Sequence, residues 1–311
     1  MTKWFSAPQP IVFARVSRFA QATFATAIAF HLSILPSLAG DPFRTTKPRE
    51  IGDKTEAAFK AVFQQGNYRV AESYLQEALS SEPNEPLAYA MRASLAYVNK
   101  DFSTLDTYSK RTLETGQKLI SSDPLRGNLY VAVGNFLEGG AIISREGAGG
   151  APKALSRLRQ VYQHLDKAEA ISANDPELNL IKGYMDLLLA VNLPFANPDE
   201  AIQRLEKNAA PQYLVDRGIA LAYRDLKNYS QALDYANRAL KSASDNPELY
   251  YLKAQILHAQ GRRENSRQLI QEAIANFDTA LAKRSQLPAD LVRQIESERS
   301  NANSRLSNAV R

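Results

Sequence analysis

The sequence predicts an all-α solenoid of about six helix–turn–helix units closed by a C-terminal capping helix. Three observations predict it. The stretch from Gly66 to Pro83 ends one helix on Gly66-Asn67 and patterns the next with Ala71, Leu75, Ala78 and Leu79 on one face, before Pro83 stops it. The pattern returns 34 positions later, where Gly66 becomes Lys100, Tyr68 becomes Phe102 and Leu79 becomes Leu113. Far along the chain Ala232 and Ser266 stand at the same separation, as do Ala239 and Ala273.

The units follow in order. In the first, Phe59 and Val62 belong to helix A, Tyr68 opens helix B, and Ala71 and Ala78 form a small pair seven apart. In the second, Tyr89, Ala93 and Tyr97 pattern helix A, Phe102 opens helix B, and Leu105 and Thr112 stand in the small slots. The small residues have a physical purpose: helix axes approach to about 8–10 Å only where the side chains at the crossing allow it. The middle is irregular. A helix from Asn128 to Ser144 is interrupted by Gly139-Gly140, a glycine-rich stretch from Gly147 to Pro152 reads as a mobile surface loop, and a further helix reaches Ile171 with Ala168 in its small slot. Thr112 and Ala168 are 56 residues apart, so the third unit carries an insertion of 22. A fourth unit starts at Asp175-Pro176, holds a second insertion at 193–198, and resumes with Asp199 placed to cap a short helix. The fifth has Ile219, Ala220 and Tyr223, a turn at Lys227-Asn228-Tyr229, then Ala232 and Ala239. The sixth has Tyr250 and Ala254, a turn at Gln260-Gly261, then Ser266 and Ala273. Leu291, Ile295 and Leu306 give the last segment one apolar stripe among charges, as a terminal cap needs.

With its aromatic opening, small pair seven apart and closing proline, this 34-residue unit resembles the tetratricopeptide repeat. The resemblance covers residues 53 to about 282 and implies a right-handed superhelix. The organisation expected is a leader at 1–39, a flexible linker at 40–52, units one and two at 53–123, irregular units three and four at 124–210, units five and six at 211–283, and the capping helix at 284–311.

Residues 1–39 hold Lys3, Arg15 and Arg18, no acidic side chain, an uncharged run from Phe19 to Gly40, and Ser37-Leu38-Ala39 before Gly40. That order is an export signal, which implies a periplasmic or lumenal destination. An uncleaved membrane anchor and an organellar transit peptide are the alternatives. The chain has 38 basic and 33 acidic side chains; three of the basic ones lie in the leader, leaving a surplus of two. Such balance is not the footprint of a nucleic-acid binder. Cysteine is absent, which excludes disulfides, thiolate metal sites and thiol catalysis.

No catalytic, cofactor-binding or metal-binding constellation is found. Beyond the leader the two histidines, His164 and His258, lie in distant units. The loop at 147–152 lacks a Gly-Lys-Ser/Thr ending, and Pro152 removes an N–H donor, so it is not a phosphate cradle. Function therefore falls to the concave groove, which in the family is lined by helix A. The same register places Glu56, Lys60 and Phe63 there in unit one, and Ala90, Ser94 and Tyr97 in unit two. Units five and six contribute Arg217, Leu221, Arg224, Tyr251, Gln255 and His258. Glu56 and Leu221 stand where chaperone-tail receptors of the family carry Lys and Asn, so that ligand is not expected. The candidate partner-binding residues are Tyr97, Arg217, Leu221, Arg224, Tyr251 and Gln255, and the expected partner is a polypeptide. The function this implies is a non-catalytic scaffold or assembly factor outside the cytoplasm. The alternative is an enzyme or ligand-binding subunit with a pocket built by the insertions at 147–152 and 193–198.

Overall fold

A computed structural model describes residues 40–191 and 198–308, so the leader and residues 193–197 of the second insertion lie outside the described part. Helices α1 (Asp53–Phe63) and α2 (Tyr68–Ser81) form the first unit, and α3 (Pro86–Val98) and α4 (Phe102–Leu119) the second. Units three and four are α5 (Pro124–Glu146) with α6 (Ala151–Ile171), and α7 (Pro176–Ala190) with α8 (Pro198–Asn208). Units five and six are α9 (Gln212–Asp225) with α10 (Tyr229–Ser242), and α11 (Pro247–Glu264) with α12 (Arg267–Leu281). The capping helix α13 (Ala289–Asn308) packs on α12, burying Ile295 and Ala302. No strand occurs among the described residues, and no helix there is long and apolar enough to cross a membrane. The fold is an all-α solenoid.

Local chemistry sets the boundaries. Asn67, Asp101, Asp123, Asp175 and Ser266 each accept a hydrogen bond at a helix start, from Val70, Thr104, Arg126, Leu178 and Leu269 N–H groups. Pro86, Pro124, Pro176 and Pro247 occupy first-turn positions, where no N–H is needed. The hairpin turns of units one, two and five all pass through the left-handed region, at Gly66 (φ 57°), Lys100 (φ 56°) and Lys227 (φ 62°). The equivalence of Gly66 and Lys100 is therefore one of backbone shape. The small slots Ala71, Ala78, Thr112, Ala168, Ala232, Ala239 and Ala273 are all buried.

Four expectations are corrected. Gly139-Gly140 does not interrupt α5, because an interior glycine costs only about 1 kcal/mol against the hydrogen bonds that carry the helix on. The insertion in unit three is not a free loop: it lengthens α5 to 23 and α6 to 21 residues, joined by a tight 3-10 turn at Gly147–Gly150. In unit six the turn falls at Asn265 (φ 52°), so Gly261 lies inside α11, facing Ile270, and Ser266 caps α12. Asp199 sits within the first turn of α8 and so serves the helix dipole from inside rather than as a cap.

Residues 40–52, expected as a flexible linker, instead fold against the solenoid. Phe43 and Ile51 are buried, and the Phe43 ring meets Phe59 edge-on at 5.0 Å. Asp41 accepts hydrogen bonds from the Phe43 and Arg49 N–H groups, closing the segment on itself. Arg49 reaches Asp123 (3.3 Å), Asp175 (3.1 Å) and Glu177 (2.9 Å), and Arg44 also pairs with Asp175. Glu82 returns from the end of α2 to cap α1, accepting from the Lys54 and Thr55 N–H groups and the Thr55 hydroxyl. A β-carbon on Gly52 would lie 2.0 Å from that carboxylate, so a larger residue there would displace the cap.

Candidate functional site

The inner face of the first units is closed by its own side chains. Helix A of five consecutive units converges there, with Phe63, Leu87, Tyr130, Tyr184 and Leu214 meeting around Phe43 and leaving a void of about 80 Å³. Ser94 is buried and donates to the Ala90 carbonyl; Glu56 is buried and pairs with the exposed Lys60. The groove positions expected in unit one and, for Ala90 and Ser94, in unit two are thus mostly interior to the molecule.

The concave face opens instead at the other end. A cavity of about 1040 Å³ lies between the turn of unit two, helices α9 and α11, and the capping helix α13. Five of the six candidate residues line it: Arg217, Leu221, Arg224, Tyr251 and Gln255. Tyr97 does not; it is half-buried one turn away, with burial pushing its hydroxyl pKa up, and Val98 and Lys100 reach the cavity in its place.

The lining residues differ in what they are free to do. Arg217 is only 4% exposed and donates to Glu248 at 3.1 Å, while the Tyr68 hydroxyl donates to the other oxygen of Glu248 at 2.8 Å. Leu221, 2% exposed, is wall rather than contact surface. Arg224 donates to Gln255 (2.6 Å) and to its neighbour Asp225 (2.9 Å). Gln255 donates in turn to the Tyr251 hydroxyl (2.7 Å) and to Glu298 of α13 (3.0 Å). Tyr251 also donates to Glu298, at 2.9 Å; burial first, and then that carboxylate, hold its pKa far above the ordinary phenol value. Asp290 at the start of α13 pairs with Lys100 across the mouth. The positive residues Lys227, Arg262 and Arg305 are exposed at the rim, and the half-buried His258 of α11 lines the cavity.

The sequence did not show that α13 would form one side of this cavity. Asp290, Gln294 and Glu298 recur at i, i+4 and i+8, a polar stripe that marks a second working face beside the apolar one. His164, in unit three, shares a 2.8 Å hydrogen bond with Asn128 and takes no part in the cavity. A smaller polar cleft of about 640 Å³ lies between α6, α7 and α8, where Lys182 and Arg204 pair with Glu169. The turn at Gly147–Gly150 lines none of these spaces.

Residues 56–103 and 217–285 match the sequence profile of the family described as Tetratricopeptide repeat. Those two regions are tetratricopeptide repeats. The matched regions are unit one with the first helix of unit two, and most of units five and six. Among solved structures, a tetratricopeptide-repeat protein of Thermus thermophilus is similar at 20% identity and a TM-score of 0.29, over 76% of this chain and 91% of that one. No curated protein matches the chain.

Proposed function

We propose that this repeat protein is a non-catalytic scaffold that holds a partner polypeptide in the cavity between units five and six and the capping helix. Repeats of this family generally mediate protein–protein interaction. The observation that carries the reading is the contrast between the two ends of the concave face. Around Phe43 it is filled to a void of about 80 Å³, while between α9, α11 and α13 about 1040 Å³ stays open and is lined by tyrosine, arginine and glutamine. Tyrosine and arginine are enriched where proteins bind one another. The export signal read at 1–39 supports a partner outside the cytoplasm.

The test is site-directed photo-crosslinking in the native cell. A photoreactive side chain at His258, inside the cavity, is expected to join the protein to a discrete polypeptide. The same group at Leu155, exposed on α6, is expected to give none. Crosslinks at Leu155 and not at His258 would move the binding site to the outer face. Mass spectrometry of the secreted or periplasmic protein tests export, with a mature N-terminus at Gly40 as the expected result.

A further inference from the structure

We infer that the open cavity takes an acidic, extended polypeptide segment whose carboxylates are recognised by Arg262 of α11 and Arg305 of α13. The inference rests on the cavity being the partner site and names the chemistry of that partner. It starts from which charges in the cavity are already used. Each of the four carboxylates that line it is engaged. Asp225 is held by Arg224, and Glu248 by Arg217 and Tyr68. Asp290 is held by Lys100 and Arg293, and Glu298 by Tyr251, Gln255 and Gln294. These pairings engage Lys100, Arg217, Arg224 and Arg293 in return. Lys227, Arg262 and Arg305 remain, and none of them forms an ion pair among the described residues.

The surplus is gathered at one place. Arg262 stands one helical turn beyond His258 on α11, and Arg305 lines the same cavity from α13. Burial first, then Arg262, with Arg305 adding to it, push the imidazole pKa down; Glu298 opposes them but is already bound by Tyr251 and Gln255. Positive charges from two helices thus converge without a free counter-charge. An entering carboxylate relieves that repulsion as well as gaining its own attraction.

Shape and polarity select a polypeptide among anions. About 1040 Å³ lies at the upper limit of small-molecule pockets, about 300–1,000 Å³. Its walls combine apolar groups, Leu221, Leu252 and Ala259, with polar ones, which suits a chain with apolar and acidic side chains. A nucleic acid would need exposed aromatic faces on which bases stack. Here Tyr251 is buried with its hydroxyl bound, and the wall carboxylates repel a phosphate backbone.

The test is fluorescence anisotropy with the whole mature protein and three labelled peptides about twelve residues long, roughly 40 Å when extended. Leucine stands at every third position, and the rest is Glu, Gln or Lys. The Glu peptide is expected to bind about tenfold more tightly than the Gln peptide, and the Lys peptide not at all. The double variant Arg262→Glu, Arg305→Glu, both sites exposed, is expected to keep its thermal transition, lose about tenfold in affinity for the Glu peptide and gain affinity for the Lys peptide. Equal binding of Glu and Gln peptides, indifferent to the double variant but abolished by Ala259→Trp in the cavity wall, would overturn the acidic partner and leave the cavity as the site. No binding, or binding that survives Ala259→Trp, would overturn the cavity itself. An oligothymidylate that binds as tightly as the Glu peptide would overturn the polypeptide class in favour of a general polyanion surface.

Discussion

Arg126 is held more completely than any rim charge. Its Nη1 and Nη2 groups donate to both oxygens of Glu85 at 2.8 and 2.6 Å, Nε donates to Glu177 at 3.3 Å, and the ring of Tyr130 lies 5.0 Å from the guanidinium carbon. All of these groups are buried, so removing the cation leaves Glu85 without a counter-charge in low dielectric and Glu177 with Arg49 and Tyr130 alone. Arg126→Ala is expected to cost about 3–5 kcal/mol, measured by chemical denaturation. Arg217→Glu belongs to the same class, because it would set a second carboxylate against buried Glu248. Loss of partner binding in that variant would report unfolding, which is why the exposed Arg262 and Arg305 are the informative positions. The histidines give a pH dependence of fixed sign. Burial lowers the pKa of His164 and His258 in the folded state, with Lys167 adding at His164 and Arg262 at His258. Below the free imidazole value of about 6.5 the unfolded chain then binds more protons than the folded one, so stability rises with pH through that window and levels off above it. A double His164→Gln, His258→Gln variant is expected to flatten that part of a pH series of thermal midpoints.

At the scale of the element, the segment from Asp41 to Ile51 shows where the sequence stops being legible. The helices were readable because capping residues, prolines and small slots act within one or two turns of where they stand. Two prolines and mixed charge in DPFRTTKPREI carry no such local signal, and its anchoring acids Asp123, Asp175 and Glu177 lie 70 or more positions away. Asp123 and Asp175 each also cap a helix, a role that hides the second one. The same limit applied to the cavity: Arg224, Tyr251 and Gln255 were legible from the helix A register, whereas the side formed by α13 depends on where the last helix comes to rest. The packing gives the segment measurable weight. Phe43→Ala removes a buried ring from between Phe59 and its neighbours and is expected to cost about 3–5 kcal/mol. Hydrogen exchange should show that loss first in α1 and α7, the helices that the segment joins.

At the scale of the whole molecule, an open repeat array has only neighbour-to-neighbour contacts, and its units unfold with a degree of independence. This solenoid departs from that description by bringing its ends together. The Tyr68 hydroxyl of unit one reaches Glu248 of unit six, 180 positions away, and Gln64 donates to the Ser242 carbonyl at 3.3 Å. Lys100 pairs with Asp290 across the cavity mouth, and a β-carbon on Gly66 would meet Asn246 and Pro247 at under 3 Å. The closing contacts are unequal. Lys100 and Asp290 are both solvent-accessible, so Lys100→Ala is expected to cost less than about 1 kcal/mol. The Tyr68–Glu248 bond is buried and has a charged acceptor, so Tyr68→Phe is expected to cost about 1.5–3 kcal/mol. Its location matters as much as its size. If closure couples the two ends, Tyr68→Phe in α2 will accelerate amide exchange in α11, where Glu248 loses a donor, and in α9, whose Arg217 is held by Glu248, as well as around itself. If exchange quickens only in α1 and α2, the units respond separately, and the cavity keeps its shape without the ring being shut.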